Sequence, residues 1–83
     1  MRAVDQLPQV SDQRSFIAFV RMLQAERADP QTRAEWENET IEAYLEAAAA
    51  WAEDAPMQLP PTTDAAAIWQ TFARFLYCGK IYE

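Results

Sequence analysis

The sequence predicts an all-α fold, a small single-domain bundle of three main helices plus one short helix, and three observations carry that prediction. Apolar residues recur at three- and four-residue spacing through three separate stretches, no stretch alternates with period two for more than a few residues, and Asn-Gly or Asp-Gly hairpin signals are absent. A chain of 83 residues buries only about 60 to 65 per cent of its unfolded surface, so one cooperative domain over 1–83 is expected. Ten aromatics and a single glycine describe a compact folded chain rather than a disordered one.

Residues 1–10 are expected to be loose, through Leu7 and Pro8. Ser11 or Asp12 then offers an N-cap oxygen for a first helix ending near Arg27, with Phe16, Phe19, Val20 and Leu23 on its inner face and Arg14, Ala18, Arg21 and Ala25 opposite. Asp29-Pro30 reads as the cap and first position of a short helical turn that carries Trp36, because proline's fixed φ and missing N–H suit that place. Thr40 is the next cap. After it, Ile41, Tyr44, Leu45, Ala48, Trp51 and Ala52 follow at helical spacing, which predicts one amphipathic helix over residues 40–54, its apolar stripe turned to the core.

Pro56, Pro60 and Pro61 each remove a donor and bias the residue before them toward extended backbone, so residues 54–64 read as a stiff connector. Thr63 or Asp64 caps the last helix, whose broad face holds Ala65, Ile68, Trp69, Phe72, Phe75 and Leu76. Gly79 either ends that helix as a C′ residue or lies inside it, bringing Tyr82 beneath Phe75; continuation is the expected outcome. Trp36, Trp51 and Trp69 are expected to anchor the core.

The charge is unevenly placed. Residues 1–33 hold five arginines against four acids, whereas residues 34–64 hold eight acids and no base, within a net charge of −6. Nucleic acid is disfavoured as a partner, since phosphate recognition needs clustered Lys and Arg. No apolar run approaches the roughly 20 residues that span a bilayer, and no signal sequence is evident, so a cytoplasmic protein with no membrane contact is expected. The lone Cys78 leaves no internal disulfide to form and is expected to be a small hydrophobe near a helix end.

Without histidine, the commonest general base and the commonest metal ligand are both missing. One glycine cannot build a phosphate-cradling loop, and EF-hand calcium loops lack their turn glycine. Glu42 and Glu46 form a carboxylate pair, but on a wet helix face nothing drives their pKa values apart, as acid–base catalysis requires. Glu35, Glu37 and Glu39 around Asn38 read as solvated and capping groups before a cation site. No catalytic residue, cofactor or metal is therefore expected, and the protein is not expected to be an enzyme.

Trp36-Glu37-Asn38-Glu39-Thr40-Ile41-Glu42-Ala43-Tyr44-Leu45-Glu46-Ala47, the following Trp51-Ala52-Glu53-Asp54, Trp69 and the closing Lys80-Ile81-Tyr82-Glu83 resemble a family of small, functionally uncharacterised bacterial domains. That family has a W-E-N-x-T-L-E-x-F-L-E-A core, a W-x-E-D helix end and a C-terminal Y-E. The resemblance covers about residues 14–83 and implies a bacterial origin and a single helical domain. It carries no established activity. The connector departs from the family pattern, which is longer and holds Gly, paired Tyr and Asn where this chain has three prolines.

Two surfaces stand out as candidates. On an ideal wheel Glu42, Glu46 and Glu53 fall within about 40 degrees of one another, nearly opposite the apolar stripe; with Asp54 they form an acidic face expected to meet a basic protein partner, as an immunity protein or inhibitor would. Folding tolerates that row, whose like charges cost a few tenths of a kcal/mol, without needing it. If the last helix continues, Arg74, Tyr77 and Ile81 fall on a second strip, which either the first helix covers or which serves a structural or regulatory subunit as an association patch. A monomer or weak homodimer is expected.

Overall fold

A computed structural model describes residues 2–54 and 64–82. The described chain is all-α, with no strand among these residues. Its elements are α1 (Ala3–Gln6), a 3₁₀ turn (Leu7–Gln9), α2 (Gln13–Ala28), α3 (Pro30–Arg33), α4 (Ile41–Asp54) and α5 (Ala65–Ile81). The connector, and Thr63 as the alternative cap, lie outside the described residues.

Local chemistry explains the helix starts. Asp12 accepts from the Ser15 amide at 2.8 Å while Ser15 Oγ accepts from the Asp12 amide at 3.0 Å, a reciprocal cap that opens α2. Asp29 accepts from the Gln31 amide ahead of Pro30, Thr40 Oγ1 from the Ala43 amide at 3.0 Å, and Asp64 from the Ala66 amide at 3.0 Å. α3 ends at Arg33, short of Trp36, which lies in the segment leading to α4.

Residues 2–10 are not loose. Ala3 is fully buried and Val10 is 2 % exposed, and both belong to the core with Phe19, Leu23, Trp36 and Ala73. Apolar side chains at residues 3, 7 and 10 give this stretch something to bury, and Gln70 Nε2 on α5 donates to the Pro8 carbonyl at 3.1 Å.

α5 occupies the middle of the molecule, packing against both α2 and α4. It runs in the same direction as α2: Phe16 meets Trp69 with centroids 5.2 Å apart toward one end, and Glu26 meets Lys80 toward the other. Against α4, Tyr44 lays its ring over Gly79 and donates its hydroxyl to the Leu76 carbonyl at 2.6 Å. Gly79 therefore lies inside the helix as a close-approach residue. The helix continues to Ile81, but Tyr82 is already extended, so it does not sit beneath Phe75 as a further helical turn.

Two expected apolar faces are only partly covered. On α4 the buried residues are Ala47 and Ala48, while Ile41 is 75 % exposed and Leu45 57 % exposed. On α5 the buried residues are Ala73, Gly79 and Lys80, and Phe72, from the middle of the expected face, is exposed. α5 packs against both α2 and α4, and Tyr44 covers the face at Gly79, yet neither neighbour covers Phe72. Of the tryptophans, Trp36 is buried in the core and Trp69 packs against it, whereas Trp51 is half-buried on α4.

Candidate partner-binding surface

The acidic residues of α4 stand as their spacing predicts. Glu42, Glu46, Glu53 and Asp54 are all exposed; the three glutamates stand on a row about 100 degrees round the helix from Ile41 and Leu45, and Asp54 lies about 100 degrees beyond Glu53. None is turned inward against Arg14 or Arg21, which are themselves exposed on α2. Asp54 differs from the glutamates because the Tyr82 hydroxyl donates to its carboxylate. That bond, first, and then burial hold the Tyr82 phenol above its ordinary pKa.

Arg74, Tyr77 and Ile81 do not form a continuous strip. Arg74 is exposed and donates to Gln70 on its own helix at 3.2 Å; Tyr77 is half-buried against the core; Ile81 alone offers an exposed apolar surface. Burial, first, and the nearby Glu26 carboxylate push the Tyr77 phenol up. Cys78 is half-buried, and desolvation raises its thiol pKa, with Arg74 opposing.

An open apolar groove of about 330 Å³ lies between α2 and the start of α4. Val20 and Leu23 stand in one wall with Gln24 and Arg27, Ile41 and Tyr44 in the other, and Trp36, Leu76 and the polar segment 38–40 complete the lining. Each wall extends by register. Ile17 lies one turn before Val20, Leu45 one turn after Ile41 and Phe72 one turn before Leu76, and all three are exposed. Trp36 stacks on Tyr44 with centroids 5.9 Å apart, and the Arg27 guanidinium lies 5.8 Å from the Trp36 ring. Arg27 is held there by donating to the Glu39 carbonyl at 2.8 Å.

The Trp36-Glu37-Asn38 turn is built onto the C-terminal end of α5. The Glu37 amide donates to the Lys80 carbonyl at 3.1 Å, and Asn38 Nδ2 donates to the carbonyls of Gly79 and Tyr82, each at 3.0 Å. The Gly79 and Lys80 carbonyls belong to the last turn, which has no intrahelical donor left, and Tyr82 is the extended residue that follows it. Asn38 thus acts across 41 residues of sequence.

Sequence reasoning missed the buried charges entirely. Glu26 is 8 % exposed and Lys80 4 %, with Lys80 Nζ 3.8 Å from Glu26 Oε2. Glu26 Oε1 accepts from Arg2 Nε at 2.7 Å and from the Ala3 amide at 3.2 Å, and Arg2 also pairs with Glu35. Lys80 Nζ lies 5.6 Å from the centroids of both Trp36 and Tyr77, an aromatic enclosure that favours the ammonium. The signal was present. Glu26 falls at i+3 from Leu23 and i+7 from Phe19, and Lys80 at i+4 from Leu76, each on an apolar stripe and of opposite sign.

Among the described residues no helix is long and apolar enough to cross a membrane, and no three His, Cys, Asp or Glu side chains cluster as metal ligands. Comparison with curated proteins and with solved structures returned no match. The resemblance carried by Trp36 through Ala47 and by the C-terminal residues has its counterpart in a family model that matches residues 12–83: the chain belongs to a family of unknown function, DUF7660.

Proposed function

We propose that the chain is a non-enzymatic protein-binding module of the cytoplasm, immunity- or inhibitor-like, that meets a basic partner through α4. One observation carries this reading: Ile41 and Leu45 remain 75 % and 57 % exposed on the same helix as the exposed row of Glu42, Glu46 and Glu53, which stands about 100 degrees round from them. Covering two such side chains offers a partner about 1.5 to 3 kcal/mol each. The carboxylates supply long-range steering and register toward a cationic surface. Asp54, engaged by Tyr82, stands at the margin of this surface. The alternative, a structural or regulatory subunit associating through Arg74, Tyr77 and Ile81, loses support because Tyr77 is packed inward and Ile81 is left by itself.

A photo-reactive residue at position 45, introduced in the native host, tests the proposal. The expected result is an adduct to a protein segment of net positive charge that is lost in Glu42→Lys/Glu46→Lys. Adducts no stronger than those from a control at Ala25, or adducts indifferent to charge reversal, would remove the reading.

A further inference from the structure

The geometry points to a single amphipathic helix as the occupant of the groove between α2 and α4, with basic residues along the edge of its apolar stripe that borders α4 and acidic residues along the edge that borders α2. This inference rests on the protein-binding reading above and names the chemistry of the partner.

Three features select a helix. The groove is concave, walled by two helices and lined almost wholly by carbon, which suits the convex apolar stripe of one helix with anchors at three- and four-residue spacing. Its volume of about 330 Å³ accommodates a few aliphatic anchors. A second copy of the chain fits less well, because two concave faces leave a void between them and two chains of charge −6 repel.

The edges select the charges. Beyond Ile41 and Leu45, Glu42 and Glu46 follow about 60 to 100 degrees further round α4, both exposed. Beyond Val20 and Ile17, the α2 wall passes into Arg21, about 40 degrees further round the helix, and then Arg14, both exposed. The two rims therefore carry opposite signs. A helix with one basic and one acidic edge satisfies both, and its edge order sets the direction in which it lies, since reversing the helix exchanges its edges.

The test uses three synthetic helices: two share one leucine stripe and differ only at the edges, with one basic and one acidic edge or with both edges acidic, and in the third the leucines are replaced by serine. Binding is followed by amide NMR shifts of the full chain and by tryptophan fluorescence, since Trp36 lines the groove. The expected result is saturable binding of the two-signed helix, with shifts centred on Val20, Ile41 and Leu45. The doubly acidic helix should bind several-fold more weakly and the serine helix not at all, and Leu45→Asp in the protein should abolish binding without altering its circular dichroism. Shifts located elsewhere, or equal binding of the two-signed and doubly acidic helices, would overturn the assignment. So would self-association in sedimentation that Leu45→Asp removes, which would give the groove to a second copy, or uptake of a small apolar dye with no binding of any helix. Failure of the helices while the position-45 adduct retains its charge dependence would sink the helical occupant and leave the protein-binding reading standing.

Discussion

Gly79 shows how one residue sets the distance between two helices. A Cβ built there would stand 2.8 Å from the Tyr44 ring, and that ring is tethered because its hydroxyl donates to the Leu76 carbonyl at 2.6 Å. Alanine ordinarily favours a helix interior over glycine by about 1 kcal/mol. Here overpacking, at about 1 to 3 kcal/mol, opposes and outweighs it. Gly79→Ala is expected to lower stability by about 1 kcal/mol in the native background. In a Tyr44→Ala background, where the obstacle is gone, the same substitution should raise stability. Urea unfolding of the four proteins in the cycle reads the change of sign; destabilisation of equal size in both backgrounds would refute the contact as the cause. The glycine was legible in the sequence as a choice between ending the helix and lying within it. Its partner was not, because Tyr44 is 35 positions away.

Among the elements, α2 carries the clearest pH dependence. The Asp12 carboxylate accepts from the Ser15 amide and hydroxyl, and these bonds hold its pKa below the ordinary carboxylate range. A lowered folded-state value means that the cap's contribution is complete above the unfolded carboxylate pKa and disappears as pH falls through the folded one. The melting temperature should therefore decline on the acid side. Asp12→Asn keeps a capping oxygen but cannot titrate, so its acid decline should be shallower; parallel curves would show that Asp12 does not contribute. The cap, the start of α2, the Asp29-Pro30 step and the Thr40 start of α4 were all readable from residue type, because capping is decided within three residues. Less was readable about faces. The apolar stripes of α4 and α5 were assigned correctly as stripes, yet Ile41, Leu45 and Phe72 remain in water, because a stripe says that a helix has an inner side and not how wide its neighbour is.

At the scale of the whole molecule, Glu26 is the point at which the distant parts meet. Its carboxylate gathers the Ala3 amide, Arg2 and Lys80, so that α1, α2, the turn through Trp36 and the end of α5 share one charged node. Removing one member of a buried pair leaves the other uncompensated, at a cost of about 3 to 5 kcal/mol. Lys80→Ala should fall near the lower end, about 3 kcal/mol, because Arg2 still answers Glu26. Chemical denaturation measures it, and a loss within about 0.5 kcal/mol, typical of a surface change, would show that the pair does not bind the molecule together. This node also explains why residues 3–10 are packed rather than loose.

What the sequence determined by itself is local and periodic: helices in place of strands, the caps that open them, the proline at the start of α3, the base-free acidic block and the row in which Glu42, Glu46 and Glu53 stand. Those follow from short-range sterics and from the 3.6-residue repeat. Only the tertiary structure decided that α5 lies between α2 and α4, and with it which apolar side chains are left to line an open groove and which two charges are enclosed. The physical reason is that burial is a property of pairs of surfaces. A helix carries its own periodicity, but the width and position of what covers it belong to residues far away in the chain.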